Sequence, residues 1–460
     1  MQSERIPPAS GGPRRLLPVA VAAASLLLSA CGGGERGVSS EEVVFGTFAP
    51  MTGEYAALGN LARAMSAYFE AVNANGGVHG RNLRLSLKDD QNDPAQTPDL
   101  VRELIGREQI FALVGGMGSA NCLAVKDYVL ANGVPWVTPG SSARIWTEPF
   151  NRVTFSILPT SITAAHVVTR YALSELGVTR IAALAEDTPF GTQGLEGYRL
   201  GVRGFYQDVQ DALPEGLEVR FARIASRPRR PRTDDPASEG WHEIPRSGAG
   251  VLWRSERRDG GSWERPEPAP EDVGARRIPK DGAGVEAALA AIKESQADAI
   301  VIWGVAEFGA VVAQAIEADE DWDPMILGSF AMADPLAITL AGDALEGAVV
   351  ASTTPDLTLA ADTFNEVQGI LREHAPDVPF GDYAMLGMAW AQLAVEGLER
   401  AGPNLTRIGF VEALETLDNW QGLLGHPVSF NDENHRGYDA VTLKRVEDGA
   451  FVTLTDWLSE

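Results

Sequence analysis

Positive charge is scarce in this chain. Its 460 residues hold 38 Lys and Arg against 63 Asp and Glu, a formal net charge of −25 at pH 7. Nucleic-acid binders usually carry a basic footprint, so that class is set aside, and the acid is read as a solvated, solubilising surface. Histidine is sparse and scattered. His79, His166, His242, His374, His426 and His435 show no zinc spacing, and no metal or cofactor is expected. The run Asp89-Asp90-Gln91-Asn92-Asp93 starts like a calcium loop, but Pro94 stands where the loop glycine belongs and Leu100 where the terminal glutamate belongs. Cysteine is limited to Cys31 and Cys122. The apolar run over 16–28 is shorter than the about 20 residues that span a bilayer, and no run of that length follows it. Ser119 lacks the Gly-x-Ser-x-Gly frame of a hydrolase nucleophile. These absences argue against an enzyme.

Glycine, by contrast, sits where apolar runs stop. The run over 110–114 ends at Gly115-Gly116, a hydroxyl follows at Ser119, and a helical pattern begins. The run over 134–138 ends at Pro139-Gly140, and Ser141 and Ser142 follow. In a parallel sheet both strands end on one edge, so both turns line one crevice. Glycines let backbone approach a ligand closely, and a starting helix offers unpaired N–H groups to an anion. That is the geometry of a small-ligand site. Cys122, beside Leu123, Val125 and Val129 in the following helix, is read as a packed small residue.

Strand and helix patterns alternate along most of the chain. Strands are predicted over 43–48, 83–87, 110–114 and 134–138, with helices over 61–72, after Pro94 and over 120–132. A second series has helices at 163–176, 193–206, 285–295 and 308–318. Its strands are at 181–185, 217–224, 299–303 and 325–327. Two such series predict two α/β lobes, each a doubly wound parallel sheet. Within the second series, residues 226–280 carry 8 of the 28 prolines, 12 Lys and Arg, 10 Asp and Glu, and Trp241, Trp253 and Trp263. They show no sustained period and are read as a surface insertion outside the ligand site, with a short hairpin pairing 250–255 and 262–265. Helices at 362–373, 384–400 and 407–417 and strands at 428–430, 440–446 and 451–456 close the chain.

The first 30 residues form a separate unit. Arg14 and Arg15, a short apolar core and Leu28-Ser29-Ala30-Cys31 have the order of a secretory signal. The last four residues resemble a bacterial lipobox. That implies cleavage before Cys31, lipidation of its sulfur and an extracytoplasmic protein held to a bacterial membrane.

Several segments resemble the leucine/isoleucine/valine-binding family of ABC-importer solute receptors, with the type I periplasmic-binding fold. They are Thr47-Phe-Ala-Pro-Met-Thr-Gly-Glu-Tyr-Ala-Ala-Leu-Gly, Asn73-Ala-Asn-Gly-Gly-Val-His-Gly-Arg-Asn-Leu, Lys88-Asp-Asp-Gln-Asn-Asp-Pro, the two crevice turns, Ala185-Glu-Asp-Thr-Pro-Phe-Gly-Thr-Gln-Gly, and Gln296-Ala-Asp-Ala-Ile-Val-Ile-Trp-Gly. The resemblance implies lobes joined by a multi-strand hinge. On that plan residues 1–30 are the leader, 31–42 a tether, 43–158 with 353–428 lobe 1, 159–352 lobe 2, and 429–460 C-terminal strands at the hinge or lobe 2. It implies a small carboxylate-bearing ligand, most simply a hydrophobic amino acid, and permease subunits as partners.

Carried over residue by residue, Ser119 and Ser142 match hydroxyl contacts and Gly140 a backbone contact. Phe190 matches a pocket aromatic, and Trp303 falls at or beside another. The family's amino-acid receptors place an acid after the strand that here ends at Gly328, to meet the ligand ammonium. Phe330 fills that position here. Either another acid (Asp187, Glu307 or Asp334) takes the role, or the ligand is a hydrophobic acid or amide without an ammonium. Arg144 is an additional candidate for the carboxylate. The alternative class is a ligand-sensing receptor of the same fold.

Overall fold

The computed structural model describes residues 34–211, 241–242, 253–254, 271–355 and 360–459. The leader, Cys31, the strand expected at 217–224 and most of 226–270 lie outside the described residues.

Lobe 1 is built on five parallel strands in the order β2-β1-β3-β4-β5: β1 (Glu42–Ala49), β2 (Asn82–Asp89), β3 (Ala112–Val114), β4 (Trp136–Val137) and β5 (Thr154–Phe155). Seven of the eight residues of β1 are buried, the near-continuous apolar run that a parallel strand covered on both faces requires. Its side chains alternate between two cores. Val43 and Phe45 join Phe69 of α1 (Gly59–Ala74) and Trp390 of α10 (Asp382–Ala401). Val44 and Phe48 join Leu104 of α2 (Thr97–Gly106) and Cys122 of α3 (Ser119–Ala131). Cys122 is indeed a packed residue: it is fully buried, its Sγ lies 3.4 Å from the Gly116 carbonyl, and burial pushes its thiol pKa well up.

Lobe 2 carries β6 (Arg180–Glu186), β7 (Glu271–Ile278), β8 (Ala299–Trp303), β9 (Met325–Gly328), β10 (Val349–Ser352), β11 (Thr442–Glu447) and β12 (Ala450–Thr453). They form one sheet in the order β12-β11-β10-β9-β8-β6-β7, parallel except where β11 and β12 join antiparallel. Helices α4 (Ser161–Glu175) and α5 (Pro189–Asp211) cover one face. The other is covered by α6 (Val285–Lys293), α7 (Ala306–Glu317) and α8 (Pro335–Ala341). The chain passes between lobes three times. It goes out after β5, back after β10 into α9 (Ala361–His374), α10 and α11 (Arg407–Leu414), and out again to β11.

Two sequence readings need correction. The segment 226–280 is not all insertion, because Glu271–Ile278 is a full edge strand pairing in parallel with β6. Its alternation is masked in the sequence by Arg276, Arg277 and Gly274, which an exposed edge tolerates. The second concerns the hairpin: Trp253–Arg254 pairs antiparallel with Trp241–His242, a partner not expected from the sequence, while 262–265 lie outside the described residues.

Candidate functional site

Both crevice turns lie together. Gly116, at φ 83°, receives the Gly140 N–H on its carbonyl at 2.7 Å, and the Gly118 N–H is donated to the Gly140 carbonyl at 3.1 Å. A Cβ on Gly140 would stand 2.0 Å from the Gly116 oxygen, so only glycine permits this approach. Since its N–H is spent inside the protein, Gly140 offers the cavity closeness of backbone, not a free donor.

From this joint α3 starts at Ser119. No side chain caps it, and the first helical bond is from Cys122 N–H to the Gly118 carbonyl at 2.9 Å. The amides of Ser119, Ala120 and Asn121 therefore have no intrahelical partners and lie at the positive end of the helix. The helix start is held from below. Asn121 donates to Asp90 at 2.9 Å and to Thr97 at 3.0 Å, and Thr97 donates to Asp90 at 2.9 Å. Asp89 meanwhile accepts the Met51 N–H at 2.8 Å and the Thr52 hydroxyl at 2.5 Å. The calcium-like acidic run is thus a buckle between loops. Ser141 donates to Ser119 Oγ at 3.0 Å, so the Ser119 hydroxyl proton is not used in that bond. Ser142 shares a 2.5 Å hydrogen bond with Ser161, the first residue of α4.

These residues form the floor of a cavity of about 490 Å³ between the lobes. Lobe 1 contributes Ser119, Gly140, Ser142 and Tyr55, and lobe 2 contributes Glu186, Asp187, Phe190, Lys280 and Phe330. Tyr383, Leu386 and Trp390 of α10 also line it. The aromatic wall is a cluster. Phe190 meets Phe330 edge-on at 5.6 Å between ring centres, and Trp303 lies 5.9 Å from Phe190 and 6.2 Å from Phe330.

Among the residues singled out from the sequence, Ser119, Gly140, Ser142, Phe190, Phe330 and Asp187 line this cavity. Trp303 does not. It is fully buried behind the other two rings, pressed against Gly194, where an added Cβ would fall 2.0 Å from the indole. Asp187 is half-exposed and already paired with Arg277 at 2.9 Å. Asp334 caps α8 and accepts the Tyr383 N–H at 3.0 Å, a structural post outside the cavity lining. Glu307 is not among the lining residues either. Arg144 is exposed, loosely paired with Glu148 at 3.8 Å, and also absent from the lining.

Several lining residues were missed, among them Glu186, Tyr55 and Lys280. Glu186 ends the apolar run of β6, and a residue just past the carboxyl end of a parallel strand is where a ligand crevice forms. Tyr55 lay within a quoted segment but was assigned no role. Lys280 was hidden by the assignment of its strand to the insertion; its Nζ stands 4.4 Å from the centre of the Tyr55 ring, joining the lobes across the cleft.

Fold and cleft together define a two-lobed receptor of the type I periplasmic-binding architecture, as the sequence patterns led us to expect. Residues 42–210 and 266–450 match the family model described as periplasmic binding protein, and the chain belongs to that family. The match passes over 211–265. Over 160 residues the chain is 29% identical to the Leu/Ile/Val-binding protein homolog 2 of Brucella abortus (strain 2308), covering 35% of this chain and 43% of that protein. Over 177 residues it is 27% identical to an amino acid binding protein of Pseudomonas aeruginosa, covering 38% of this chain and 47% of that one. The matched stretch thus spans less than half the length of these curated relatives. Among solved structures, a branched-chain amino acid ABC transporter protein from Thermus thermophilus with bound valine superposes with a TM-score of 0.71 at 17% identity, covering 92% of this chain and 98% of that one. A fatty acid ABC transporter substrate-binding protein from Thermomonospora curvata gives 0.68 at 18% identity, covering 93% and 94%. These two share the fold.

Proposed function

We propose that this protein is the extracytoplasmic receptor of an ABC importer. Its two lobes close on a small ligand that joins a carboxylate to a hydrophobic body, and the closed form delivers it to permease subunits. A hydrophobic amino acid is the ligand class, and Cys31 carries the lipid that holds the receptor at the membrane. One observation supports this reading above the rest: the uncapped start of α3, with the Ser119 hydroxyl, faces an apolar inter-lobe cavity. An anion at a helix N-terminus is stabilised by the unpaired amides and the helix dipole. A second reading, a hydrophobic acid without an ammonium, is favoured by Phe330 at the position where amino-acid receptors of the family carry an acid.

The test is a thermal-shift screen of the purified chain against hydrophobic amino acids, their desamino acids and small amides. A true ligand at 100 times its Kd should add about 2.7 kcal/mol of stability if it binds only the folded chain. Silence from every carboxylate in the panel would sink the reading.

A further inference from the structure

We propose that Glu186 receives a ligand ammonium, taking the part that residue 330 cannot play in this chain. The inference rests on the carboxylate reading above and refines it to a zwitterionic ligand.

The position is set by the fold. Glu186 is the last residue of β6, at the carboxyl edge of the lobe 2 sheet, and it lines the inter-lobe cavity opposite the start of α3. It is 5% exposed. Its carboxylate is held, not floating: the Thr188 hydroxyl donates to Oε1 at 2.7 Å and the Val305 N–H donates to Oε2 at 3.3 Å. Two donors leave acceptor capacity unused, since a carboxylate offers about four lone-pair sites. Among the described residues no cation lies within ion-pair distance of it. Asp187 next to it differs on each count, being half-exposed and taken by Arg277.

The surroundings reinforce the choice. Glu54, Glu186, Glu307 and Asp281 all act on the Tyr55 phenol, so the cleft near Tyr55 is rich in negative charge, with Lys280 the cation that acts on Glu186. Burial pushes the Glu186 carboxyl pKa up, and a cation placed beside it would favour its charged form. The serine end of the cavity favours an anion and the Glu186 end a cation. Such a dipole matches an amino acid, and it opposes a plain fatty or aryl acid, whose apolar body would strand the buried carboxylate.

The experiment is calorimetry on the full chain with two matched pairs of probes: L-leucine with 4-methylpentanoate, and L-phenylalanine with 3-phenylpropanoate. The wild type is expected to bind the amino acid of a pair roughly tenfold or more tightly than its desamino partner. E186Q, which keeps the shape and can still accept the Val305 N–H on its amide oxygen while the Thr188 hydroxyl turns to accept from its NH2, should erase that preference by weakening the amino acid alone. E307Q, outside the cavity lining, should preserve it. Equal binding within a pair, or a preference for the desamino acid, overturns the proposal without needing any variant. So does a Glu186→Gln variant that weakens both members alike, which marks a structural role. In either case, desamino acids that bind and are weakened by Ser119→Ala leave the carboxylate reading standing. If no probe of either pair binds, the inference and the reading beneath it fall together.

Discussion

Lys444 of β11 donates to Asp382, the first residue of α10, at 2.9 Å, and both side chains are 6% exposed. Lys444 also donates to Thr354 Oγ1 at 2.7 Å, and Ser352 donates to the far Asp382 oxygen at 2.8 Å. The pair ties the lobe 2 sheet to the lobe 1 helix layer at the connection the chain follows after β10. Desolvating two charges is costly, and the surrounding hydroxyls are what make the pair tolerable. Removing one partner leaves a lone buried charge. Asp382→Ala or Lys444→Ala is therefore expected to cost about 3–5 kcal/mol in urea unfolding. The double variant Lys444→Met/Asp382→Leu should lose clearly less than the sum.

The anion end of the cleft is tested by Ser119→Ala. A hydrogen bond to a charged group contributes about 1.5–3 kcal/mol, so affinity for the best hit of the screen should fall roughly tenfold or more. Trp303→Phe is expected to act differently. The indole touches rings, not ligand, so stability should fall while affinity moves less than about threefold. Calorimetry beside thermal melts separates the two effects.

Burial at Glu186 predicts a dependence on pH. Its folded pKa lies above the ordinary 4.5, so the folded chain holds its proton more firmly than the unfolded chain does. That contribution is fully present below 4.5 and is lost as pH rises through the folded pKa. Above that folded pKa the ligand-free protein carries a desolvated charge. E186Q should melt higher than the wild type at pH 7, and the gain should vanish near pH 4. An unchanged difference across that range would mean that the carboxylate is not desolvated.

The family match excludes 211–265 and resumes before the edge strand. Replacing 212–265 by a Gly/Ser linker is expected to leave affinity within about threefold, since the family match passes over that stretch. Lys280→Ala, which removes the cation facing Tyr55, should instead weaken ligand retention by a few-fold, seen as a faster off-rate.

How far the sequence reads depends on what each residue competes with. The two crevice turns were legible because glycine after an apolar run has few structural alternatives. Phe190 and Phe330 were found through the resemblance. Trp303 misled because an aromatic at a strand end looks alike whether it lines a cavity or backs one, and only Gly194 pressing on it decides. Lys280 was lost because an edge strand rich in arginine has no apolar alternation to betray it. Glu186 needed the third dimension: next to Asp187 in sequence, it faces inward while its neighbour turns to Arg277 and solvent.

The antiparallel pair β11 and β12 comes from the last twenty residues of the chain, yet β11 lies directly against β10, about a hundred residues earlier. Until that tail is made, β10 is an open edge, and neither Lys444 nor the return crossing exists. Lobe 2 can therefore reach its final form only once residues 442–453 have been made. From the completion of β10 until then, a nascent chain of this design stays unfinished along one sheet edge. Deleting β11 and β12 should then harm the middle of the molecule more than the segment that is removed.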